Sequence, residues 1–210
     1  MKKYNVLLSV CIMSFILFVF YDTRIVRAFD DGAREIILSF RNEALNELVI
    51  AFTYVGDAKV LGALCIFSVI GLFLFREWLR GILLLASIAL SYGLNLVLKS
   101  AFERERPLGN RLLEEDGFSF PSGNAMVGTS FYLFSAFLLY QKYPKPWILW
   151  IGTILPFFLG LSRVYVGVHY PSDILAGFSI GMAFFVCLAV IYKTFNANSR
   201  EMQNNKNTYL

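Results

Sequence analysis

Apolar residues in this chain neither alternate nor follow one narrow stripe; they gather into long runs, each stopped by charges, proline or glycine. Six runs stand out, over residues 4–20, 48–75, 79–98, 125–140, 146–165 and 174–192. A helix needs ~20 such residues to cross a bilayer, and flanking Trp, Tyr and Lys extend the shorter runs into the interface. With no water in lipid to bond a free backbone group, each run is forced to be helical. The pattern predicts an all-α, polytopic membrane helix bundle with six transmembrane helices, forming one domain over residues 1–195.

Three segments fall outside those runs or read in two ways. Residues 22–47 mix charges with Ala33, Ile36, Ile37, Phe40 and Leu45, spaced as on one helical face. This predicts an interfacial amphipathic helix lying on the membrane surface; a helix packed on the bundle fits the spacing almost as well. The first run reads as a membrane anchor. Its rival is a secretory signal, with Lys2 and Lys3 before the apolar core and Val26-Arg27-Ala28 as cleavage site, although the core is long for one. Residues 196–210 are polar and Asn-rich and predict a disordered C-terminal tail.

Composition sharpens the picture. The chain is 57% hydrophobic and 16% charged, against about a quarter charged in soluble domains. Its net charge of +4 lies in short segments between apolar runs, where anionic lipid or a phosphate would meet it; a nucleic-acid partner is excluded. Cys11, Cys65 and Cys187 each sit within an apolar run as small hydrophobes, without metal-ligand spacing. A single histidine argues against the usual zinc sites. No metal and no other cofactor is expected, and the expected partners are the bilayer and a lipid substrate, with no obligate protein partner. Inverted repeats that would mark a transporter are not evident.

Three short segments, all predicted on one membrane face, carry candidate chemistry. The first runs from Lys99 to Arg106-Pro107 at the end of the third run. If the helix continues, Lys99 and Arg106 stand nearly two turns apart on one face, and two fixed cations suit a doubly charged phosphate; alone, they read rather as snorkelling interfacial residues. The second is Pro121-Ser122-Gly123-Asn124 at the start of the fourth run. Ser122 suits an N-cap, Gly123 permits close approach, and the helix start offers N–H groups to an anion. The third runs from Ser162-Arg163 to His169 and Pro171-Ser-Asp173. Proline at a first helical position starts the sixth helix there. Asp173 could then accept the imidazole Nδ1–H and leave Nε2 free as a nucleophile, while Arg163 could bind phosphoryl oxygens. Asp57, Lys59 and the acidic run Glu114-Glu115-Asp116 lie near the same face; intramembrane charges are functional suspects, but the first two read rather as marking the helix interface, and the run as a solvated loop that could help select head groups.

In order, Lys-x6-Arg-Pro, Pro-Ser-Gly and Ser-Arg-x5-His-x3-Asp over 99–173 resemble the type 2 phosphatidic acid phosphatase family, also called the lipid phosphate phosphatase superfamily. The resemblance implies a metal-independent phosphoric ester or diphosphate hydrolase of bacterial membranes acting on a lipid. His169 would form a phosphohistidine, Asp173 would orient it, and Lys99, Arg106, Ser122, Gly123 and Arg163 would hold the phosphate. Phosphatidylglycerol phosphate, phosphatidic acid and undecaprenyl diphosphate are the substrates it brings forward.

One position departs from the family's Pro-Ser-Gly-His: here it is Asn124. The family's histidine protonates the leaving oxygen, which an amide cannot do, so turnover is expected to be impaired while phosphate binding survives. Three explanations stay open: an introduced substitution; an enzyme whose leaving group needs little protonation, as with a polyprenyl diphosphate; or a non-catalytic lipid-phosphate-binding protein. Six spans put both termini on one side. Lys and Arg are nearly balanced between the sides, but Lys99, Arg106 and Arg163 have a chemical reason for their places. Leaving them out favours cytoplasmic termini and an extracytoplasmic site.

Overall fold

The structure, a computed structural model, describes the backbone of residues 2–208 and the side chains of 2–198. Among the described residues the regular structure is all helical: α1 (Lys2–Val19), α2 (Arg24–Ser39), α3 (Glu43–Thr53), α4 (Ala58–Leu74), α5 (Trp78–Phe102), α6 (Gly123–Lys142), α7 (Pro146–Tyr165) and α8 (Pro171–Thr208), with a 3₁₀ turn, Tyr54–Gly56, between α3 and α4. The backbone of the tail expected to be disordered is thus helical as far as Thr208.

Local chemistry sets these boundaries. Thr23 caps α2, Asn42 caps α3 through the Leu45 N–H at 3.0 Å, and Asp57 caps α4 through the Lys59 N–H at 2.8 Å. Pro146 and Pro171 open α7 and α8 as first helical residues. The run over 48–75 is not one straight helix: the Asp57 cap starts a new helix, and the two arms meet at 50°.

Among the described residues four helices, α1, α5, α7 and α8, are long and apolar enough to cross a membrane, and the bent α3–α4 pair makes a fifth if it is one span. The sequence counts α6 as a span too, yet it is outside that set. Its position explains why: α6 is enclosed by α5, α7 and α8, and most of its length is buried, including Thr129 and Ser130. A helix surrounded by protein need not be apolar on every side. Phe131, Phe134 and Phe137 of α6 anchor a core with Leu61, Cys65, Leu84 and Leu188. The outward residues of the other helices, such as Phe67, Leu74, Val97 and Trp150, are exposed, as lipid-facing positions are.

Residues 22–47 contain two helices rather than one. α2 packs on α7 and α8, with Ile37 beneath Val164 and Ile174, while α3 runs on into the bent pair. At the N-terminus α1 packs along α8, and Phe15 meets Phe102 and Phe120.

Close contact between α6 and α8 fixes the site. A Cβ at Gly181 would lie 2.4 Å from the Met126 carbonyl oxygen, and one at Gly177 would lie 2.8 Å from that of Ser122. Two glycines one turn apart therefore let the start of α8 lie against the start of α6, and the Ser122 N–H bonds the Asp173 carbonyl at 3.1 Å.

Candidate active site

The irregular chain after α5 begins where Glu103 takes a left-handed conformation, φ 47. Lys99 and Arg106 therefore do not share a helical face. The helix stops at Phe102, and the residue before Pro107 is steered away from helical geometry. Both cations still reach one place, by different routes. Lys99 donates to the Phe118 carbonyl. Arg106 bonds the carbonyls of Gly117 at 2.9 Å, Val168 at 2.9 Å and Asp116 at 3.1 Å. Its Nη1 also lies 3.1 Å from His169 Nε2. A guanidinium can only donate, so this contact makes Nε2 the lone-pair nitrogen and puts the ring proton on Nδ1.

His169 sits on the turn between α7 and α8, only 1% exposed. Its Nδ1 faces Asp173 Oδ2 at 3.4 Å and Ser119 Oγ at 3.2 Å. Ser119 in turn donates to Asp173 Oδ2, as does the Tyr170 N–H at 2.8 Å. The pairing expected from the spacing is present, with a serine hydroxyl wedged into it. Burial first, and then the Arg106 and Lys99 charges, push the His169 pKa down to about 3, against the pull of Asp173. The imidazole is neutral at physiological pH, the form a nitrogen nucleophile requires. Burial also lowers the Arg106 pKa, to about 10, with Arg111 adding to it; it remains a cation.

Arg163, in the last turn of α7, approaches from the other side. It pairs with Glu115, and its Nη1 reaches Thr53 Oγ1 at 3.3 Å. Glu115 also meets Arg106 Nη2 at 3.2 Å. The acidic run is thus not simply a solvated loop. Two buried guanidinium groups draw the Glu115 carboxylate inward, where it bridges them. Ser122 stands at the N-cap of α6, but its hydroxyl makes no cap bond; it is fully buried and without a partner. Arg163 Nε is a second buried donor without a partner. Asn124, in the first turn of α6, donates to the Thr53 carbonyl at 3.2 Å. Gly123 faces protein rather than open space, since a Cβ there would lie 3.2 Å from Asn95 Oδ1.

One cluster therefore holds a neutral imidazole backed by a carboxylate, three cations and the start of a helix. The PAP2 superfamily model matches residues 80–198, which include every one of these groups except Thr53. The chain belongs to the PAP2 superfamily.

Individual members of that superfamily extend the likeness beyond the matched region. Phosphatidylglycerophosphatase B of Bacillus subtilis (strain 168) is 33% identical over 168 residues, 78% of this chain and 83% of that protein. An undecaprenyl-diphosphatase of Sulfolobus acidocaldarius is 35% identical over 107 residues, 48% of this chain and 50% of its own length. The crystal structure of the first transmembrane PAP2 type phosphatidylglycerolphosphate phosphatase from Bacillus subtilis superposes with a TM-score of 0.84 at 30% identity, covering 92% of this chain and 98% of that one. This chain is a multi-pass membrane protein of the same fold.

Around the motif positions the structure adds residues that the motifs do not name. Ser119 and Thr53 are two of them. Arg104 bonds Asp173 Oδ1 at 2.6 Å and Asp30 Oδ2 at 2.7 Å. Burial would lower its pKa, but Asp173 and Asp30 hold it above the ordinary arginine value. Asp30 carries a signal in the sequence. It shares a helical stripe with Val26, Ala33 and Ile37, and a carboxylate on an apolar stripe demands a buried partner.

Proposed function

We propose that this chain is a metal-independent membrane lipid phosphatase that hydrolyses a phosphomonoester or diphosphate of a lipid through a phosphohistidine on His169. The observation that carries the reading is the neutral His169 ring, its Nε2 lone pair beside the Arg106 guanidinium and its Nδ1 side toward Asp173. In the first half-reaction the Nε2 lone pair forms an N–P bond as the P–O bond to the lipid breaks. The bonding pair leaves on the lipid oxygen, which takes up a proton. Charge then sits on the phosphoryl oxygens, where Lys99, Arg106, Arg163 and the unpartnered Ser122 hydroxyl receive it. In the second half a water oxygen attacks phosphorus, the N–P pair returns to Nε2, and the water gives up a proton as inorganic phosphate leaves.

Six passes fit this reading: α1, the bent α3–α4 pair, α5, α6, α7 and α8, with α2 at the interface. The termini are then cytoplasmic and the site lies at the outer surface, so a head group enters while its tails stay in the bilayer. The family's leaving-group histidine is replaced by Asn124, so the leaving oxygen draws its proton from water. Loss of a positioned general acid costs ~10²–10⁴-fold. That cost falls hardest on a lipid alkoxide and least on a diphosphate, whose leaving group is a phosphate monoester. Phosphatidylglycerol phosphate, phosphatidic acid and undecaprenyl diphosphate are the substrates to compare. Asn124 also favours a second reading, a lipid-phosphate-binding protein without turnover.

Phosphate release from those three lipids, measured with asparagine and with histidine at 124, tests both. The proposal expects Asn124→His to raise turnover on the monoesters by ~10²–10⁴-fold and on the diphosphate by less. Binding of all three lipids with no phosphate released by either protein would instead establish the binding reading.

A further inference from the structure

In the proposed reaction only one oxygen of the Asp173 carboxylate faces His169. The other, Oδ1, is held 2.6 Å from Arg104 Nη1. That nitrogen also bonds Ser172 Oγ at 2.7 Å, while Nη2 of the same guanidinium bonds Asp30 Oδ2 at 2.7 Å. Asp30 completes the loop: it accepts the Ser172 N–H at 2.8 Å and the Ser172 hydroxyl at 2.6 Å. The guanidinium is sandwiched between two rings, 4.5 Å from the centre of Tyr21 and 4.0 Å from that of Tyr170. Asp30, Ser172 and Asp173 are at most 1% exposed, and Arg104 is 8%.

None of these bonds touches the place where a phosphate would sit. They join α2, the turn after α5 and the start of α8 into one clamp on the carboxylate behind the nucleophile. A planar fork with fixed donors suits this task, because it sets the direction of a carboxylate as well as its charge. We propose that Asp30 and Arg104 are positioning residues of the reaction: α2, acting through Arg104, fixes the plane of the Asp173 carboxylate and thereby the Nδ1–H tautomer and orientation of His169. The proposal rests on the reading of His169 as nucleophile. It further assigns α2, which carries no family motif, a part in the chemistry.

A cavity of about 440 Å³ opens beside Arg104, with Tyr21, Asp22, Asp31, Glu103 and Tyr170 in its wall. Its acidic rim lets a small cation reach the clamp, which makes chemical rescue practicable. Asp30→Asn and Arg104→Ala, made in the full chain with histidine at 124, are to be compared with their parent in detergent. The expected result is a fall in kcat of at least about tenfold with KM and inhibition by inorganic phosphate unchanged. Millimolar guanidinium is expected to restore part of the kcat of Arg104→Ala and to leave the parent unaffected.

A second readout does not need turnover. With asparagine at 124, His169 is the single histidine, so ¹⁵N-histidine labelling reports its tautomer directly. The Nδ1–H form is expected to dominate, and Asp30→Asn is expected to give a mixture of the two tautomers. Folded Asp30→Asn protein with parental kcat and an unchanged tautomer would overturn the proposal, as would folded Arg104→Ala that guanidinium does not rescue. If the parent turns over no lipid phosphate at all, the functional reading fails, and the tautomer comparison still decides the role of the clamp.

Discussion

The two halves of the site are built on opposite principles. Behind His169 nearly every polar group is paired. Asp173 accepts from Arg104, Ser119 and Tyr170, and Asp30 accepts from Arg104 and Ser172. In front of it the cations lean on backbone carbonyls and on one partly exposed carboxylate, Glu115, while Ser122 Oγ and Arg163 Nε bond nothing. A buried donor without a partner costs ~1–3 kcal/mol, so the front half is held short of its hydrogen bonds. The contrast separates two tasks. The rear half fixes one ring in one tautomer; the front half leaves two donors unpaired, and the Glu115 carboxylate pairs with both Arg106 and Arg163, the cations that in the proposed reaction receive the phosphoryl oxygens.

That contrast can be broken from either side. The largest effect after removal of the nucleophile is expected at Arg163. Replacing it with Ala takes out the cation that bridges Thr53 and the front of the site, and is expected to lower kcat/KM ~10²–10³-fold, the usual loss for one preorganised charge donor. Inhibition by inorganic phosphate is expected to weaken alongside. A variant that keeps parental phosphate inhibition would remove Arg163 from the binding half.

A smaller effect of opposite sign is expected at Glu115. Glu115→Gln keeps the shape and removes the charge that competes with substrate, so phosphate inhibition should tighten by several-fold with kcat little changed. Weaker inhibition would mean that Glu115 supports the cations rather than standing in for a ligand.

The smallest change is expected with pH. Burial holds the folded His169 pKa near 3, below its ordinary 6.5. The neutral ring therefore contributes stability that is fully present above pH 6.5 and lost as pH falls from there toward 3. The ¹⁵N shifts of the histidine should stay those of a neutral imidazole from pH 8 down to 5. A titration midpoint near 6.5 would place the ring in water, outside the clamp.

How much of this was legible in the sequence follows the same division. The helices are written in apolar runs, and α7 begins at Pro146 and ends at Tyr165 as the pattern predicts. The bend at Asp57 was hidden because a capping aspartate inside an apolar run reads as one interfacial charge. The front half was largely visible, since its cations and the Pro-Ser-Gly turn are motif residues. Their geometry was not: Lys99 and Arg106 meet through a left-handed Glu103 and an irregular turn, not through a shared helical face. The rear half was mostly invisible. Arg104 stands beside Arg106 in an alternating charged stretch, and its partner Asp30 lies far away in the chain, on a helix whose docking no local pattern states. Ser119 has no signal at all, because its role exists only once the turn before Pro121 has folded over His169.

The proposed reaction depends on His169 Nε2 donating its electron pair to phosphorus. Rapid quenching of the Asn124→His protein with ³²P-labelled lipid phosphate, followed by peptide mapping, tests this most directly. The expected result is acid-labile, alkali-stable label on the peptide that carries His169, and no label and no turnover with His169→Ala. Turnover that persists in His169→Ala, or label on any peptide without His169, would contradict it.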